Sequence, residues 1–128
     1  MAAHLSEGWL DHLKRAAADL PERADVTARI QHVVTGTPAG EVRYRLSWLD
    51  GRLADAGLGD DPDADVTFLQ THADALQVAR GEVGVEVAFM QGRAKVTGDM
   101  GRVMALMPLL TSDEYRSLIV EVSEQTEY

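Results

Sequence analysis

The chain has 128 residues, with 12 Lys and Arg against 21 Asp and Glu for a formal net charge of −9, and no cysteine. That length makes one domain with a core of its own. The negative balance argues against binding nucleic acid by phosphate neutralisation and against a polybasic membrane anchor. Absent cysteine removes disulfides, thiol nucleophiles and thiolate metal sites together. A composition of 45 % hydrophobic and 26 % charged residues is that of a globular domain. Residues 1–7 lack the basic-then-apolar layout of a signal peptide. The longest apolar run, Val103 to Leu110, has eight residues, whereas a membrane span needs about 20. A soluble, cytoplasmic protein is expected.

In chain order, Leu5-Ser6 predicts a hydrophobic staple and N-cap, with Leu5 placed to touch Leu10. Leu10, Leu13, Ala17 and Leu20 share a helical face that Pro21 ends. From Val26 the period becomes two: Val26, Ala28, Ile30, His32 and Val34 alternate with polar neighbours, and a loop follows at 36–40. Val42, Tyr44, Leu46 and Trp48 then form one face of a strand, with Arg43, Arg45 and Ser47 opposite. Asp50-Gly51 demands a tight turn, because a type I′ turn needs positive φ at both central residues, and a strand at 52–56 completes the hairpin. An acidic turn leads to a strand from Val66 to Gln70, and Thr71 caps a helix ending at Gly81. Residues 82–91 have β-branched composition without alternation. Residues 92–98 predict a strand with Ala94 and Val96 inward, and Asp99 caps a helix with Met100, Val103, Met104 and Met107 on one stripe. Pro108 is expected to stop it; Thr111 and Glu114 form a capping box for a last helix presenting Tyr115, Leu118, Ile119 and Val122. This order predicts an α+β domain, a five-stranded and largely antiparallel sheet covered by helices.

The sequence is sparing with chemistry. His4, His12, His32 and His72 form no H-E-x-x-H pair. His32 shares a strand face with apolar residues and is expected to be a hydrogen-bonded core histidine. Asp61, Asp63 and Asp65 resemble the opening of a calcium loop, but its sixth position is Val66 where glycine is needed and its twelfth is His72 where a bidentate glutamate is needed. A solvated acidic turn is the expected alternative. No serine lies in a G-x-S-x-G elbow, and the glycines spell no phosphate loop. No catalytic residue, metal or cofactor is therefore expected. The methionines are more informative: Met90, Met100, Met104 and Met107 cluster, either as adaptable core filler or as a deformable wall around an apolar guest.

Gly81, the step Phe89-Met90-Gln91-Gly92, the strand from Arg93 to Gly98, and Asp99 opening an apolar helix stand in the order seen in the sterol carrier protein type 2 family. The chain resembles that family over residues 25–123, most specifically at 79–107, with 1–24 as an N-terminal helix and linker in a single domain. The resemblance implies that 82–91 is helical. It also implies an apolar tunnel for fatty acids, acyl-CoA or sterol-like lipids. Carried over, Phe89, Met90 and Gln91 sit beside that tunnel, and Met100, Val103, Met104 and Met107 line its helical wall; Trp48 and Phe68 join them by strand parity.

The acidic charge departs from what anionic membranes or coenzyme A phosphates would attract, and Glu127-Tyr128 is not a peroxisomal signal. The expected function is non-enzymatic binding or transfer of a long apolar ligand. Two alternatives remain: a scaffold, homodimerisation or enzyme-accessory module whose methionine stripe meets protein, or a small enzyme using wall groups such as His32 or Tyr44.

Overall fold

Local rules place most of the elements. A computed structural model describes residues 1–128. In chain order it contains β1 (Ala2–Ala3), α1 (Glu7–Ala17), β2 (Ala28–Thr37), β3 (Gly40–Leu49), β4 (Arg52–Leu58), β5 (Val66–Thr71), α2 (His72–Ala79), α3 (Val85–Met90), β6 (Ala94–Gly98), α4 (Met100–Leu110), α5 (Asp113–Glu124) and β7 (Thr126–Glu127). Ser6, Thr71, Asp99 and Ser112 each accept a hydrogen bond from a first-turn backbone N–H of α1, α2, α4 and α5. These bonds satisfy donors that have no partner inside the helix.

The main sheet has the order β4-β3-β2-β5-β6. Three of its pairings are antiparallel and β2–β5 is parallel, as expected of a largely antiparallel α+β sheet. The β3–β4 turn places Asp50 at φ 49° and Gly51 at φ 84°, both in the positive region a type I′ turn requires. On the inner face Ala28, Ile30, Val34, Tyr44, Leu46, Trp48, Val66 and Phe68 join Trp9, Leu10 and Leu13 of α1 and Val103, Leu106, Leu109 and Leu110 of α4 in one buried cluster. Each large apolar side chain buried there contributes roughly 1.5–3 kcal/mol relative to exposure.

Several local expectations change. Residues 82–91 hold the short helix α3, as the resemblance implied. β2 runs on to Thr37, so the 36–40 loop shrinks to a tight turn. Pro108 lies inside α4, which continues to Leu110; near a helix end proline costs a single intrahelical bond, which the packing of Leu109 and Leu110 offsets. Ser112, not Thr111, caps α5. The helix stripe also turns: Val103, Leu106, Leu109 and Leu110 face the core, while Met100 and Met104 are exposed.

The acidic turn is also more than solvated surface. Asp61 is buried, and its carboxylate accepts two hydrogen bonds from the Arg29 guanidinium, at 2.9 and 2.8 Å. Burial is the largest influence and opposes its ionisation, but the Arg29 hydrogen bond, the Asp63 backbone N–H and the charges of Arg29 and Arg45 together hold the carboxyl below its ordinary value. Asp65 accepts the Arg29 backbone N–H at 2.8 Å. These carboxylates pin the 59–65 loop to β2, and no group of side chains has the make-up of a metal site.

Where β6 ends, Gly98 has φ 115°, and a Cβ there would run into the Asp65 carbonyl oxygen, which accepts the Asp99 N–H at 2.9 Å. Gly98→Ala is accordingly expected to destabilise the protein by about 2 kcal/mol or more. Urea unfolding at neutral pH checks this.

Candidate functional site

The C-terminal turn of α2, the 81–84 segment, α3 and α5 leave a space between them. The result is a cavity of about 280 Å³ lined by Val78, Gly81, Val83, Gly84, Val85, Glu86, Val87, Leu110, Tyr115, Arg116, Ile119 and Val120. Val85, Tyr115 and Ile119 connect it to the buried cluster, while Val87 and Val120, 39 % and 47 % exposed, form its rim. Gly81 packs against Val120, where an added Cβ would stand 3.3 Å from Cγ2.

Three polar side chains interrupt this wall. Arg116 Nη2 donates to Glu86 Oε1 at 3.4 Å. Glu86 Oε2 is buried and has no hydrogen-bond partner. Tyr115 is raised to about 12, by burial first and then by Glu86, so its hydroxyl keeps its proton at neutral pH. The wall therefore offers one unoccupied anionic acceptor and one hydroxyl in an otherwise apolar space. It holds no serine, histidine or cysteine nucleophile.

None of the residues singled out by the sequence lines this cavity. Trp48 and Phe68 are both 3 % exposed. The Trp48 ring stands 6.1 Å from that of Tyr115, one side chain behind the cavity wall, and Phe68 packs edge-on to His32 at 5.2 Å. Val103 is buried and Met107 half-buried on α4; Met100 and Met104 face outward, at 43 % and 58 % exposure. Phe89 is half-buried, Met90 is 81 % exposed and Gln91 is exposed at the end of α3. The structure thus brings Trp48, Phe68, Val103 and Met107 together in the interior and leaves Met90, Gln91, Met100 and Met104 at the surface.

The cavity residues missed from sequence carried one signal: Val83, Val85 and Val87 between Gly81 and the aromatic-Gln-Gly step, apolar yet in no regular alternation with a partner strand.

His32 also differs from its expectation. Its ring stacks on Tyr44 at 4.5 Å with planes 3° apart, but Nε2 is buried without a hydrogen-bond partner. Burial lowers its pKa to about 3, and burial likewise raises Tyr44 above the ordinary phenol range. Both are neutral at physiological pH.

The order of elements finds its counterpart in comparison. The model of the SCP-2 sterol transfer family matches residues 10–111. The chain belongs to that family. A crystal structure of sterol carrier protein 2 superposes with a TM-score of 0.70 at 16 % identity, over 97 % of this chain and 99 % of the other. The solution structure of palmitated SCP2L2 from Aedes aegypti gives 0.65 at 19 % identity, over 88 % and 96 %. A conserved hypothetical protein from Thermus thermophilus, described as possibly a sterol carrier protein, gives 0.65 at 16 % identity, over 92 % and 85 %. No curated protein matches the sequence. No helix of this sterol carrier family member is long and apolar enough to cross a membrane.

Proposed function

We propose that this protein binds and transfers a long apolar ligand without chemical change, taking it up through the cavity between α2, α3 and α5. The observation that carries this reading is the apolar space of about 280 Å³ with an exposed valine rim. Ligand sites usually span ~300–1,000 Å³, so the space receives the first part of a long chain. The rest follows the α4 row that starts at Leu110 in the wall: three residues back is Met107, and seven back is Val103. On this reading the ligand would reach Trp48 and Phe68 by displacing packed core side chains, since both are buried in the cluster. Each buried methylene contributes ~0.8 kcal/mol, so affinity comes from length. The palmitated state of the Aedes aegypti relative supports an acyl chain as one such ligand. Glu86 Oε2, an acceptor without a partner, favours a hydroxyl head over a carboxylate in this cavity.

Native mass spectrometry of the protein mixed with hexadecanol, palmitate or a sterol tests the reading. A one-to-one adduct, strongest for the alcohol-headed ligands, is the expected result. Folded protein that takes up none of the three overturns it. A second reading has its own observation: Met90, Met100 and Met104 present exposed apolar surface on α3 and α4, as a dimerisation or enzyme-docking face would. The same spectra report it as a dimer mass without ligand.

A further inference from the structure

A second cavity, of about 350 Å³, lies on the other side of α2. The pairing of β1 with β7 brings the two ends of the chain against the β2–β3 turn and α2. Leu5, Pro38, Val42 and Leu76 give this cavity apolar walls, and His4, His72 and Arg80 face it. In a chain of net charge −9, that is an unusual gathering of basic side chains. Glu127 is the one carboxylate side chain in the lining.

The two histidine side chains and Arg80 make ring contacts but no ion pair within the chain. His4 Nδ1 is buried without a hydrogen-bond partner. Its ring is held edge-on to Trp9 at 4.9 Å, beside Tyr128 at 5.3 Å and stacked on His72 at 6.4 Å. Arg80 lies over the Tyr128 ring at 4.7 Å and takes part in none of the ion pairs, in contrast to Arg29, Arg43 or Arg102. Burying an unpaired polar nitrogen beside a guanidinium costs free energy, and an anion placed here would relieve that cost.

We propose that this second cavity binds the anionic head, carboxylate or phosphate, of a small amphiphile whose apolar tail rests on Leu5, Val42 and Leu76. Arg80 supplies the fixed charge, and His4 and His72 supply hydrogen bonds. His4 is lowered to about 4 by burial, His72 and Arg80, in that order. The groups facing it are His72 and Arg80 from α2 and Glu127 and Tyr128 from the C-terminal end. A bound anion reverses that field, so binding takes up a proton on His4 and tightens as pH falls from about 6 to about 4.

The test follows the His4 and His72 Cε1–H resonances while octanoate, octyl phosphate or neutral octanol is added to the full-length protein. Octanoate or octyl phosphate is expected to move the His4 midpoint upward by about one pH unit or more, and octanol to leave it in place. The stronger of the two anions identifies the head. Arg80→Gln, on an exposed side chain that leaves folding intact, is expected to weaken the effect at least about tenfold, with Arg80→Lys recovering part of it; His4→Gln provides a second variant. Val120→Trp, which blocks the first cavity, should preserve it. Unmoved His4 resonances, equal responses to octanol, indifference to Arg80→Gln, or loss in Val120→Trp would each overturn the proposal.

Discussion

Between pH 7 and pH 4 the wild-type protein is expected to lose about 3 kcal/mol of stability that the His32→Phe variant keeps. The sign follows from the two states. His32 titrates near its ordinary 6.5 in the unfolded chain but at about 3 when folded, so below pH 6.5 the unfolded state binds a proton that the native state refuses. The contribution of neutral His32 is full above pH 6.5 and drains away as the pH falls toward 3. The cause is geometric: Nε2 is sealed without a partner, between the stacked Tyr44 ring and the Phe68 edge. Phenylalanine keeps the stack and removes the buried nitrogen, so at pH 7 the variant should match or exceed wild type. His4, also lowered by burial, adds acid lability of the same sign in both proteins. Urea titrations of the pair at pH 7 and pH 4 measure the difference. Parallel losses would mean that water or a rotated ring already solvates the imidazolium.

How much of this was legible in the sequence depends on how local each determinant is. Ser6, Thr71 and Asp99 were readable as caps because a cap needs only its own hydroxyl or carboxylate and a first-turn N–H. Asp50-Gly51 was readable because few residue pairs accept positive φ twice. α3 was not readable from periodicity: six residues make less than two turns, and Val85 and Val87 favour strands in isolation. The resemblance supplied that helix. The α4 stripe failed for another reason. From Val103 to Leu110 every residue is apolar or proline, so spacing cannot choose a face, and packing against the rest of the core buries Leu106, Leu109 and Leu110. Asp61 looked like surface because its partner Arg29 lies a hairpin and a strand away. The cavity was the least legible feature, since it is what α2, α3 and α5 leave unfilled; only the valine run after Gly81 pointed toward it.

Those differences set up the largest expected effect on binding. Val120→Trp should reduce hexadecanol affinity about a hundredfold, read as the ligand-bound fraction in a native mass spectrometry titration of both proteins. Val120 is 47 % exposed on α5, so an indole there costs little in folding, yet it faces Gly81 across the cavity mouth. Excluding three or four methylenes at ~0.8 kcal/mol each removes about 3 kcal/mol, or roughly two powers of ten. Met104→Asp makes the decisive partner experiment. If the ligand ran along the outer stripe of α4, a carboxylate in an apolar contact would be the more damaging change. With Met104 58 % exposed and outside the cavity, the substitution should leave affinity within about threefold, as surface changes usually do. A reversed ranking, with both variants folded, would move the binding route from the valine-lined mouth to the methionine face of α4. Val120→Trp would then act as a neutral surface change, and the ligand would enter between α3 and α4, where Met90 and Met104 are exposed.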